Sequence, residues 1–200
     1  MIDSIDRTAI GVLLAAGRGG RMGGRKQLIA WRTSSGDVPL IAAAYEAIQP
    51  ICREIVVVLG AEADLVAAAL GDRKFRRVDS SSDLPMFESI RAGLQAAQRI
   101  EPCEYVVLHP ADHPQVSRET LIMLSTWTAQ QPNAAIIPEY KGRGGHPVFI
   151  PAELASRLTT EDCPGGLGQF WREHPDLCVR VSVSDSTVVR DIDTPDDFER

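Results

Sequence analysis

The chain has 200 residues, 44% of them hydrophobic and 24% charged, which is enough to bury a sizeable core. Its 27 acidic and 21 basic side chains give a formal net charge of −6, so nucleic acid is not expected as a partner: its phosphates would be repelled at long range. No apolar run approaches a membrane span, and Cys52, Cys103, Cys163 and Cys178 are too scattered for a zinc site or a disulfide framework; a cytoplasmic protein without a membrane partner is expected.

Residues 10–16 form a short apolar run of a length that suits a buried strand. After a glycine-rich loop, Ser34-Ser35-Gly36-Asp37 signals a turn. Pro39 then opens a helix with Leu40, Ile41, Ala44, Ala47 and Ile48 on one face. Residues 55–60 are β-branched and predict a second strand, 61–70 an alanine-rich helix stopped by Gly71, and 75–78 a short third strand. The recurrence of Met86, Ile90, Gly93, Leu94 and Ala97 predicts an amphipathic helix over 86–98, and 105–109 a strand. Ser117 caps a helix running to about residue 129. Strands follow at 134–138 and 148–150, separated by turn residues 141–145; then come a short helix from Pro151, a glycine-rich patch, a strand at 177–183 and a helix from Pro195. Strands alternating with crossovers of about 20–30 residues predict a mostly parallel sheet with helices on both faces, in one α/β domain over 1–200.

The first loop carries the strongest chemical signal. Between residues 17 and 26, five glycines (Gly17, Gly19, Gly20, Gly23, Gly24) alternate with Arg18, Arg21, Arg25 and Lys26. Glycines let a backbone approach a ligand closely, and consecutive N–H groups of such a loop can face one anion. The added cations point to a polyanion the size of a triphosphate. A solvated loop is the competing reading, and it fits Arg18 and Arg25 well. The stretch is not a Walker loop, and Met22 occupies the place where a dinucleotide fingerprint would have its last glycine, which counts against a nicotinamide oxidoreductase.

Two acidic motifs also stand just after strands or near the chain end. Asp112 lies three residues beyond the 105–109 strand between Pro110 and Pro114, which fix the local backbone. Asp191 and Asp193 stand one residue apart on an extended segment before Thr194-Pro195, where only one acid is needed to start a helix. Ligands in open α/β sheets gather outside the carboxyl ends of the strands.

Together, Leu14-Ala15-Ala16-Gly17, Arg21-Met22-Gly23 and Lys26, with Asp112-His113-Pro114 and Asp191-Ile192-Asp193-Thr194-Pro195, closely resemble the motifs of the MobA-like nucleotidyltransferases, which attach CMP or GMP to the molybdenum cofactor. The resemblance implies a three-layer Rossmann-like fold and transfer of a nucleotide from a nucleoside triphosphate to a phosphorylated acceptor, molybdopterin being the family's own. It implies a nucleotide site at Leu14, Ala15, Ala16, Gly17, Arg21, Lys26, Gly60, Met86 and Ser89, with Arg21, Lys26 and Asp112 catalytic and Mg²⁺ on Asp112 and Asp193. Met86 and Ile90 fit a core stripe equally well. Ala15-Ala16 resembles the cytidylyl branch, so CTP is favoured and GTP is the alternative. As exposed cations, Arg21 and Lys26 are expected to matter for binding and little for stability.

The acceptor half departs from the family. Its Arg-Gly-His-Pro-Val survives as Gly144-Gly145-His146-Pro147-Val148, and a second motif arginine falls at Leu167, leaving Arg143 and His146, with Lys141 nearby, to meet the acceptor. The expected consequence is weak acceptor binding. A different phosphorylated acceptor, or a non-catalytic nucleotide-binding regulator, are the rival readings.

Overall fold

The computed structural model describes residues 8–17 and 26–192; Arg18, Arg21, Arg25, Asp193 and the helix expected from Pro195 lie outside the described residues. The apolar run is strand β1 (Ala9–Ala15), buried at all positions but Leu14. After a 3-10 turn at Lys26–Leu28 comes a hairpin, β2 (Ala30–Thr33) and β3 (Gly36–Pro39), where the sequence showed only a turn. Its strands pair antiparallel around Ser34-Ser35, and they are too short and too exposed to carry a hydrophobic period. Helix α1 (Leu40–Ile48) starts one residue beyond Pro39, which takes the N-cap position.

There follow β4 (Cys52–Leu59), α2 (Ala63–Ala69), β5 (Arg76–Asp79), α3 (Met86–Ala97), β6 (Tyr105–Pro110) and α4 (Arg118–Gln130). Ser117 caps α4 as expected, its hydroxyl oxygen accepting from the Thr120 amide. The chain continues through β7 (Ala135–Tyr140), β8 (Arg143–Gly144), β9 (Val148–Pro151), α5 (Ala152–Thr160), α6 (Gly166–Glu173) and β10 (Cys178–Ser182). Helix α6 replaces the glycine-rich patch of the sequence reading. Its apolar face is Leu167, Phe170 and Trp171, a helical spacing that Gly166 and Gly168 obscure.

The main sheet runs β10-β7-β9-β6-β1-β4-β5, with β8 added on β7. Pairing is parallel along β6-β1-β4-β5 and between β10 and β7, while β9 lies antiparallel between β6 and β7. One core layer packs α1, α2 and α4 against one face of the sheet, and a second packs α3, α5 and α6 against the other. Covered on both faces, β1 and the 55–59 stretch of β4 are continuously apolar rather than alternating.

This topology places the site. The chain builds β1, β4 and β5 in one direction, then returns to β6 on the far side of β1, so the strand order reverses between β1 and β6. The segments leaving those two strands are Ala16-Gly17 and Ala111-Asp112-His113, and the amide of Ala111 still bonds the carbonyl of Leu14 at 2.9 Å. The C-terminal segment joins them, the Ile192 amide donating to the Asp112 carbonyl at 3.0 Å. Asp185 helps hold that segment: its carboxylate accepts from the Ser117 and Thr187 amides, both at 3.0 Å, and from the Thr120 hydroxyl at 2.9 Å. Burial alone would push the Asp185 pKa up, but these hydrogen bonds outweigh it and hold the carboxyl below its usual range.

Candidate active site

A cleft of about 1020 Å³ opens at the carboxyl ends of β1 and β6. Leu14, Ala16, Gly17, Lys26, Met86 and Ser89 line it, together with Asp112 and His146. Ala15 and Gly60 line a small adjoining depression that shares Gly17 and Gln27 with the cleft. Arg143, by contrast, is exposed on β8 and is not among the lining residues.

Backbone proximity shapes the wall of the cleft beside β1 and β4. A Cβ placed on Gly60 would lie 2.3 Å from the Ala16 carbonyl oxygen, so the ends of β1 and β4 can meet only with glycine there. Gln27, which the sequence reading passed over, fastens the same corner. Its Nε2 donates to the Gly17 carbonyl at 2.9 Å and to that of Ala15 at 3.3 Å. Both oxygens thus accept from one carboxamide, which holds the loop's exit and return together. Met86 is not core: it stands 76% exposed at the cleft rim, while Ile90 is buried beneath. Ser89 is buried and shares a 3.0 Å hydrogen bond with Ser80.

Lys26 and Asp112 meet at 2.9 Å. Lys26 is only 7% exposed, so the expectation of an exposed cation is overturned: it is a nearly buried member of an ion pair. The physical reason is the 3-10 turn, which draws the lysine inward against the end of β6. Removing either partner of such a pair strands the other charge in poor solvent.

Behind Asp112 stand three histidines. His109 is fully buried, with Nε2 2.7 Å from the His113 carbonyl. The rings of His109 and His113 are 6.1 Å apart, and those of His113 and His146 5.3 Å, both edge to face. Burial, then the neighbouring imidazoles, holds His109 well below the usual histidine range and takes His146 down to about 4. Burial lowers His113 too, against the pull of Asp112 and Asp191. The three are neutral near pH 7, so this side of the pocket does not compete for the charge of Asp112.

The donor set fits a hard divalent cation. Asp112 offers a carboxylate one third exposed to the cleft, with Asp191 exposed near His113. No group of three or more His, Cys, Asp or Glu side chains that would cage a metal exists among the described residues. Mg²⁺ suits that sparse arrangement, since it takes one or two carboxylates and completes its octahedron with phosphate oxygens and water.

A model of the MobA-like NTP transferase domain matches residues 11–177. The chain belongs to the MobA-like NTP transferase family. That places it among nucleotidyltransferase enzymes. It is 32% identical to nicotine blue oxidoreductase of Paenarthrobacter nicotinovorans, over 95% of this chain and 94% of that protein. It is 35% identical to a molybdenum cofactor guanylyltransferase of Pseudomonas aeruginosa, over 60% of this chain and 58% of that one. Among solved structures, Rv0371c of Mycobacterium tuberculosis H37Rv superposes with a TM-score of 0.79 at 27% identity, covering 96% of each chain. A manganese complex of Rv0371c superposes at 0.70 and 23% identity, again over 96% of each chain. The family's Rossmann-like fold is thus the fold of this chain, as its motifs implied.

The site also holds residues that the sequence reading missed. Gln27 carried a signal, adjacency to Lys26. Arg172, Arg180 and Trp171 line the cleft as well, and they come from α6 and β10, where no motif marks them.

Proposed function

We propose that the chain transfers a nucleoside monophosphate, CMP from CTP in preference to GMP from GTP, to the phosphate of molybdopterin or the molybdenum cofactor in the cytoplasm, releasing pyrophosphate. The observation that carries this is the Lys26–Asp112 pair at the reversal between β1 and β6, beside a cleft large enough for a nucleotide and a second ligand.

An acceptor phosphate oxygen attacks the α-phosphorus; that P–O bond forms as the bond to the β-phosphate bridge breaks, and pyrophosphate leaves with the electron pair. No protein nucleophile is needed, so the residues work by placement and charge. The backbone of Ala16 and Gly17, held by Gln27 and packed on Gly60, receives the nucleotide. Lys26 is assigned to the triphosphate, and by its motif position Arg21 is assigned to it as well. Asp112 would hold Mg²⁺ together with Asp193, and the ion when bound would supply neutralisation of charge at the phosphates. Met86 and Ser89 border the base. The pair Ala15-Ala16 resembles the cytidylyl branch, where the guanylyl branch usually has Ala-Gly, and this supports CTP.

The test is a screen of all four ribonucleoside triphosphates with Mg²⁺, reading thermal shift and acceptor-dependent pyrophosphate release. The expected order puts CTP first and GTP second. A clear preference for GTP would place the chain with its guanylyltransferase relative.

A further inference from the structure

The acceptor end of the cleft is not as bare as its motif suggests. Position 144 is glycine, yet the space above it is filled from another strand. A Cβ built on Gly144 would lie 3.3 Å from Nη1 of Arg180 and 3.8 Å from its Cζ. Gly144 is on β8 and Arg180 on β10, and both strands pair with β7, where each meets Glu139 or its neighbours. Arg180 is braced by Glu139 at 3.3 Å, a single contact that leaves other N–H donors of the guanidinium to point elsewhere. Arg172, in the last turn of α6, repeats the arrangement: a Cβ on Gly168 would lie 3.8 Å from its Nη1. Both arginines and both glycines line the cleft. Gly145 lines it too, and through His146 and His113 this end connects to Asp112. Two guanidinium groups thus reach one cleft of a protein whose net charge is −6.

We infer that Arg172 and Arg180 are the specificity-determining residues for the acceptor and grip its phosphate monoester, with Arg180 supplying from β10 the guanidinium that position 144 lacks. The planar fork of arginine matches two phosphate oxygens at once, which a lysine cannot do. The assignment rests on the nucleotidyl-transfer reading only in treating the acceptor phosphate as separate from the triphosphate. It replaces Arg143, which β8 turns out to hold away from the cleft.

Calorimetric titration with phenyl phosphate tests this, with phenol as the uncharged control, before and after saturation with α,β-methylene-CTP and Mg²⁺. Wild-type protein should bind phenyl phosphate and not phenol, with or without the analogue. Arg172→Gln and Arg180→Gln should each weaken binding about tenfold or more, leaving analogue affinity unchanged. Arg143→Gln should have no effect. Returning the arginine to its motif position, as Gly144→Arg with Arg180→Ala, should restore phosphate binding, a rescue that a purely structural role for Arg180 would not give. Wild-type affinity in the double Gln variant, or no phenyl phosphate binding by wild type at millimolar concentration, would overturn the assignment. So would competition between analogue and phenyl phosphate, which would put the arginines on the triphosphate. Phenyl phosphate binding that depends on both arginines, in a protein that fails to bind the analogue, would uphold the assignment and count against nucleotidyl transfer.

Discussion

The two ends of the cleft are built by different means. At the end proposed for the nucleotide, backbone meets backbone: Gly60 abuts the Ala16 carbonyl, Gln27 ties Gly17 to Ala15, and Lys26 is drawn inward onto Asp112. At the end proposed for the acceptor, two long exposed side chains are laid over glycines, Arg172 over Gly168 of its own helix and Arg180 over Gly144 of another strand. A site made of backbone needs particular residues in a fixed order. A site made of reaching side chains needs only that some neighbouring element supply the charge. The first kind therefore keeps its motif, while the second can lose it and keep its chemistry.

The sharpest way to break this comparison is to remove the carboxylate at its centre. Asp112→Asn keeps the side-chain shape but is a poor Mg²⁺ ligand, and pyrophosphate release should fall by at least about a hundredfold with the far-ultraviolet spectrum unchanged. Release within a few-fold of wild type would remove Asp112 from the chemistry.

Lys26→Ala comes next. Nucleotide affinity should drop about tenfold to a hundredfold, and because the pair with Asp112 is nearly buried on the lysine side, stability should fall by about 1–3 kcal/mol in urea unfolding. Arg180→Gln, exposed at the other end, should leave the unfolding midpoint within error. Equal midpoints for the two variants would erase the distinction between the ends.

The glycines sharpen it further. Gly60→Ala drives a methyl against a carbonyl oxygen and should lower both Tm and nucleotide affinity. Gly144→Ala meets the movable tip of Arg180 at 3.3 Å and the Cγ2 methyl of Ile137 at an ordinary 3.4 Å, and should cost little stability. The smallest effect concerns pH. His109 and His146 are held below the usual histidine range by burial, so the unfolded chain takes up protons first as pH falls through about 6.5. Stability is thus fully present above that pH and is lost progressively down to about 4, where His146 itself titrates. Tm measured across this window should decline on acidification, and His146→Gln should flatten the decline; a Tm that rises toward pH 5 would contradict the neutral cluster.

The layout of the sheet was legible because β1, β4 and β6 are buried on both faces and so read as unbroken apolar runs. Helix α3 was legible from its period, and Ser117 from its capping chemistry. The hairpin at Ala30–Pro39 was not, since a four-residue exposed strand has no inward face to mark. Helix α6 was hidden by its own glycines, and with it went Arg172. The strand at β9 was legible but its antiparallel direction was not, because pairing direction depends on partners rather than on composition. Within the site, motif residues Ala16, Lys26 and Asp112 were found because their spacing is fixed by backbone. Arg180 was missed because what marks it is its guanidinium lying over Gly144 of another strand, a neighbourhood that only folding creates.

The most direct test of the account is transfer of label from α-phosphate-labelled CTP to molybdopterin by the purified wild-type protein. Label should appear on the acceptor with one pyrophosphate released per transfer, only when Mg²⁺ is present, and Asp112→Asn should not support it. No transfer from any of the four triphosphates, together with oxidation of a nicotinamide dinucleotide coupled to reduction of an aromatic substrate, would contradict it.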